Sequence, residues 1–129
     1  MPDPLTVAKL VWGTMAAVDQ GNRTGNYSVV RDLSSATFQA SATQAMLAQA
    51  FAPMRRAGLD LADSFLVAPT YEFAPAMVEA RTLRTRGTFN LRPTGIAFDL
   101  LFQWNGSWQI HHIAIVPFST MPAPAAQSR

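Results

Sequence analysis

The chain has 129 residues, the length of one ordinary domain of about 100–200 residues. Apolar residues make up 49% and charged residues 14%, which excludes a largely disordered chain. A net charge of +2 from nine Arg, one Lys and eight acids lacks the clustered cations of a nucleic-acid binder, and zero Cys excludes disulfides, thiolate catalysis and iron–sulfur clusters.

The first half reads as helix. Asp3 followed by Pro4 suits an N-cap with proline in the first turn. Leu5, Ala8, Trp12, Met15 and Ala16 then fall on one helical face, with a stop expected near Gln20 and Gly21. The segment NRTGN reads as a loop. Asn26 is placed to cap a short second helix over YSVVRDL, with Tyr27, Val30 and Leu33 inward. Ser41 and Gln44 form a capping-box pattern ahead of a third helix carrying Met46, Leu47, Ala50, Phe51 and Met54. Pro53 conflicts with that helix, so a kink or an early end is expected there. Arg55, Arg56 and Gly58 suit a helix C-terminus.

After Gly58 the apolar period falls to two. Ser64–Pro69 is a strand candidate, PTYEFAPA is irregular, and a meander follows over Met77–Leu91, Gly95–Trp104 and Ser107–Phe118. Asn105-Gly106 between two apolar runs predicts a two-residue type I′ hairpin. That turn pairs Trp104 with Ser107, and hence Leu100 with His111 and Phe98 with Ile113 on one face. On the other face it pairs Leu101 with Ile110 and Asp99 with His112. Leu83, Thr85, Gly87 and Phe89 share one side of their strand, Thr82, Arg84, Arg86 and Thr88 the other.

Three leading helices, a fold-back and a curved antiparallel meander resemble the nuclear transport factor 2-like superfamily, a cystatin-like α+β cone. GNYSVVRDLSSATF is similar to the second helix of small bacterial members. FDLLFQWNGSWQIHHIAI is similar to their closing hairpin, with the Asn-Gly turn and a Trp two residues later. The resemblance spans roughly residues 4–118. It implies an α+β fold of three N-terminal helices on a strongly curved, mainly antiparallel four-stranded sheet, with a pocket in the cone and frequent dimerisation. It implies no activity, because the superfamily hosts isomerases, dehydratases, cyclases, epoxide hydrolases and non-catalytic domains on one fold. The expected organisation is a single domain over 1–118 and a disordered Pro/Ala-rich tail over 119–129.

Candidate chemistry is sparse. His111 and His112 are the only histidines and, as strand neighbours, point to opposite faces. No HExxH or carboxylate cluster supplies further ligands, so no metal is expected. His111 is either a general base in a pocket or a core histidine bonded to a carbonyl or to Tyr27. Asp99 opposite His112 reads as a cross-strand charge pair outside the cone. Arg84 and Arg86 either seat an anion or form a solvated strand surface. The expected pocket lining is Trp12, Met15, Tyr27, Phe98, Leu100 and His111. Ala97, Asp99, Leu101, Trp108, Ile110 and His112 make the second sheet face too apolar for water and assign it to a homodimer.

The function these residues favour is a non-catalytic binding or assembly domain, with the cone able to hold a small apolar ligand. The alternative is a cofactor-free lyase or isomerase with His111 and Tyr27 as acid and base. No catalytic residue is assigned, and no cofactor, nucleic acid or membrane is expected as a partner. No 18-residue apolar run is present. The start, MPDPLTVAK, lacks a leader pattern. The expected compartment is the cytoplasm, or the periplasm if a leader has been removed.

Overall fold

The computed structural model describes residues 1–120. Helices come first and an antiparallel sheet second, an α+β arrangement. The helices are α1 (Pro4–Thr24), α2 (Ser28–Asp32), α3 (Ala36–Ser41), α4 (Gln44–Ala50) and α5 (Ala52–Arg56), followed by a 3₁₀ helix over Leu61–Leu66. The strands are β1 (Thr70–Tyr71), β2 (Ala76–Glu79), β3 (Thr82–Phe89), β4 (Thr94–Trp104) and β5 (Trp108–Ser119). β1 and β2 lie end to end along one edge of β3, and β4 and β5 follow on its other side. The sheet is open.

α1 starts as the sequence indicates: Asp3 Oδ1 accepts from Thr6 N–H at 2.7 Å, with Pro4 in the first turn. It runs past Gly21 to Thr24 and ends on Gly25, whose φ of 76° fits the left-handed cap. Gly21 lies within α1, and Tyr27 packs its ring where a Cβ would stand, so a glycine is required there. The buried stripe is Val7, Val11, Met15 and Val18, not the face containing Leu5, which is 64% exposed. Those residues recur at i, i+4, i+8 and i+11, one helical face.

The expected third helix is two helices. Ser35 caps α3 by accepting from Phe38 N–H at 3.1 Å, and Thr43 caps α4 by accepting from Met46 N–H. Ser41 therefore ends a helix instead of starting one. Pro53 does break the helical run: α4 stops at Ala50 and α5 restarts with the proline in its first turn, where the missing N–H costs nothing. Gly58 closes the segment at φ 68°.

Two strand expectations need correction. The first half of Ser64–Pro69 lies in the 3₁₀ helix, capped by Asp60 and held to α1 by Trp12 Nε1, which donates to Ser64 O at 3.0 Å, and the second half forms no strand. The run from Met77 to Leu91 is not one strand. It turns at Ala80–Arg81, so β2 folds back on β3, pairing Ala76 with Arg84 and Met77 with Leu83.

The register of the closing hairpin also differs. Trp104 pairs with Trp108, not Ser107, across a three-residue loop. Only Gly106 has positive φ there, whereas a type I′ turn needs it at Asn105 too. The two indoles meet edge to face at 5.3 Å. Beyond Phe102↔Ile110 the next pair is Leu101↔His112, so His111 is an inserted residue, a β-bulge. The three-residue loop puts Ile110 on the helix-covered side with Phe102, and the bulge puts Ile113 and Ile115 on that side opposite Leu100 and Phe98.

The core lies between the helices and this inner face. Leu83, Phe89, Ile96, Leu100 and Phe102 from the sheet pack with Val11, Met15, Phe51, Met54 and Leu61. β5 ends at Ser119, and Thr120 bonds to Leu91 and Pro93. The remainder of the expected tail lies outside the described residues.

Gly87 is the tightest backbone approach in the sheet. A Cβ there would overlap the Thr70 carbonyl of β1, and backbone cannot swing aside as a flexible side chain can. Gly87→Ala is expected to destabilise the fold by about 1–3 kcal/mol, the usual cost of overpacking, read as a lower urea midpoint at unchanged m-value.

Candidate functional site

The exposed face of the sheet carries most of the unusual chemistry. β3 presents Arg84, Arg86 and Thr88 there, β4 presents Ala97, Asp99 and Leu101, and β5 presents His112, Ala114 and Val116. Arg86 stands directly opposite Asp99, and Arg84 is diagonal to it. Arg84 Nε donates to Asp99 Oδ1 at 3.0 Å and its Nη2 to Oδ2 at 2.6 Å, a two-pronged pair. Arg86 Nε reaches Glu72 Oε2 at 2.6 Å, and its Nη1 lies 3.8 Å from Asp99 Oδ2. The result is a continuous line of alternating charge, Glu72–Arg86–Asp99–Arg84. The Phe73 ring sits over the Arg84 guanidinium, 5.4 Å from centroid to carbon.

Beside this line runs a groove of about 570 Å³, bordered by Glu72, Arg86 and Asp99 and by Ala97, Ala114 and Val116. Val116 is 56% exposed. The hydrogen bonds from Arg84 hold the Asp99 carboxyl below the usual carboxylate range against a partly opposing desolvation, with Arg84, Arg86 and His112 adding electrostatic support. The same pairing raises Arg84.

The second sheet face anticipated from the sequence is thus only partly the real one. Ala97, Asp99, Leu101 and His112 belong to it. Trp108 and Ile110 do not: Ile110 is buried in the core and Trp108 packs against it, because the three-residue loop shifts their register by one, while the bulge returns His112 to the outer face. Asp99 faces Ala114, not His112, and its partners are the two arginines. Glu72 and Phe73, which sequence reasoning left in an irregular segment, complete the site.

The six residues expected to line a pocket are distributed otherwise. Met15 and Leu100 are fully enclosed in the core. Trp12 anchors the 3₁₀ helix. The Tyr27 hydroxyl donates to Asn22 Oδ1 and accepts from Arg55 Nη1, both at 2.6 Å, and its ring packs on Phe51. Of the six, Phe98 alone borders the outer groove. His111 Nδ1 is 2.8 Å from Ser35 Oγ, so its partner is neither a carbonyl nor Tyr27. Ser35 N–H also donates to Ile110 O, and Ile110 N–H to Leu33 O, which ties the α2–α3 junction to the edge of β5 at the bulge. The separation of 76 positions between Ser35 and His111 hides that link from any local pattern.

Two further oxygens stand out on the inner face. Tyr71 Oη and Thr85 Oγ1 are buried without a hydrogen-bond partner, a condition that costs about 1–3 kcal/mol per group when left dry. Among the described residues no group of three or more His, Cys, Asp or Glu is arranged to hold a metal, and no helix is long and apolar enough to cross a membrane. Comparison with protein families, curated proteins and solved structures gives no match.

Two outcomes test this geometry. The stability that Asp99 contributes is complete above its unfolded pKa of about 3.9 and is lost as pH falls through its lower folded value. Asp99→Asn is expected to cost about 1 kcal/mol at neutral pH, discounted for the part-exposed site, and to flatten the acid limb of a pH-dependent denaturation series. Asp3, held low mainly by its bonds from Thr6, supplies an acid-sensitive contribution that survives the change. Ser35→Ala removes both a helix cap and the His111 partner, and a loss of about 1–2 kcal/mol in urea denaturation is expected.

Proposed function

We propose that this chain is a non-catalytic binding or assembly domain whose outer sheet face pairs with a second copy of itself. The observation that carries the reading is the charge line on that face. Its order, acid–base–acid–base, is self-complementary under a two-fold axis: reversed on itself, every cation meets an anion. A two-fold contact brings one patch against its own copy turned through half a rotation, so the patch must complement itself in reverse order. Apolar side chains flank the line, with Val116 and Phe73 exposed and Ala97 and Ala114 leaving room between. A patch of mixed apolar and paired-charge character, large enough for about 800 Å² per partner, is the usual make-up of a stable interface.

The same reading takes the fold as nuclear transport factor 2-like, with the sheet curved around its helices. Support comes from the order of helices then meander, the closing hairpin and the helices covering one sheet face. The inner face is lined mainly by Phe, Leu, Ile and Met side chains, and Tyr27 and His111 each serve a structural hydrogen bond. Both points favour assembly over the lyase or isomerase alternative.

Sedimentation equilibrium on the native chain at tens of micromolar is expected to give twice the monomer mass. Leu101→Lys and Val116→Lys, each placing an unmatched cation on the face, are expected to sediment as folded monomers. A native monomer, or a lysine variant that remains dimeric, overturns the proposal.

A further inference from the structure

The two unpartnered hydroxyls of the inner face lie at the break in the edge strand. Tyr71 of β1 is opposite Gly87, and Thr85 is the next inward position along β3. Thr85 is 0% exposed, and both oxygens are enclosed. The edge strand leaves β3 after Glu72, whose N–H donates to Arg86 O, and rejoins it where Ala76 pairs with Arg84. In an unbroken strand Phe73 would alternate inward, beside Thr85. Its ring instead lies over Arg84 on the outer face. The break therefore withdraws one large side chain from the inner row between Tyr71 and Met77, and Gly87 contributes none.

What remains there is chemically narrow. The inward neighbours Leu83, Phe98 and Leu100 carry no polar side-chain atom, and Tyr71 meets Phe98 edge to face at 6.4 Å. The charges of this region, Glu72, Arg84, Arg86 and Asp99, stand on the opposite side of the sheet. An ionic guest would find no counter-charge. Buried hydroxyls in folded proteins are nearly always satisfied, by protein or by an ordered water with two to four polar partners.

We propose that Tyr71 and Thr85 together hold one oxygen atom of an uncharged guest, an ordered water or the hydroxyl or carbonyl group of a small molecule. A phenol is neutral at pH 7 and burial raises Tyr71 further, so its O–H is available as the donor. Thr85 completes the contact as donor or acceptor according to the guest. The site is independent of pairing through the outer face.

Near-isosteric replacements test it. Tyr71→Phe and Thr85→Val each delete one hydroxyl and leave every backbone bond in place. With an oxygen held between them, each variant melts roughly 3–6 °C lower, and the double variant loses clearly less than the sum, because the first deletion already releases the guest. Melting temperatures that rise, or changes that simply add, mean dry and separate hydroxyls and overturn the proposal. A high-resolution crystal structure of the native chain supplies the second readout. One-atom density within hydrogen-bond reach of both oxygens identifies water. Larger density, matched by added mass in native mass spectrometry, identifies an organic guest. An empty space at that position overturns the proposal.

Discussion

The inserted residue His111 is the constraint on which the layout of the molecule depends. A strand has a side-chain period of two, so one extra residue reverses which face every later side chain meets. Before the bulge Ile110 points into the core; after it Ile113 and Ile115 do. β4 keeps a single phase throughout, with Ile96, Phe98, Leu100 and Phe102 all inward. Without the insertion, β5 could not match β4 along its whole length. The same residue is tied through Ser35 to the cap of α3, so the change of phase and the attachment of the helices occur at one point.

Much of the fold is legible in the sequence, and what is not has identifiable causes. The caps at Asp3 and Gly58, the break at Pro53 and the facing of β3 follow from local rules and appear as expected. The helix over Ala36–Ser41 was hidden because its cap, Ser35, is followed by small and polar residues with no apolar rhythm. The expected strand at Ser64–Pro69 rests on the apolar run SFLVAP, whereas Asp60 caps a 3₁₀ helix over Leu61–Leu66 that Trp12 docks on α1. The bulge had a signal: Trp108 and Ile110 are even-numbered while Ile113 and Ile115 are odd, and the phase slips at the His pair. A strict alternation imposed from the turn outward passes over that slip.

The outer site shows the same division. Arg84, Arg86, Ala97, Asp99 and Leu101 could be assigned to one face from alternation alone. Which acid met which base could not, because pairing depends on a register shifted by both the three-residue loop and the bulge. Glu72 and Phe73 joined the site through strand pairing of a segment whose prolines read as a loop. The cation–π contact and the Glu72–Arg86 pair add side-chain contacts to the backbone pairing that already joins this segment to β3. Each is modest in water.

The ends of the sheet bear on how such a molecule can meet its own kind. Exposed strand edges invite another chain to continue the ladder, the route to fibres. Here one edge is divided into β1 and β2 around a proline-containing jog, too short on either side to template a long partner strand. The other edge is occupied at Ile110 by Leu33 and Ser35, and farther along Pro117 brings no N–H. Growth in the plane of the sheet is thereby discouraged at both margins. That leaves the broad surface of the sheet for the proposed pairing, a contact that would close on itself under a two-fold axis instead of propagating.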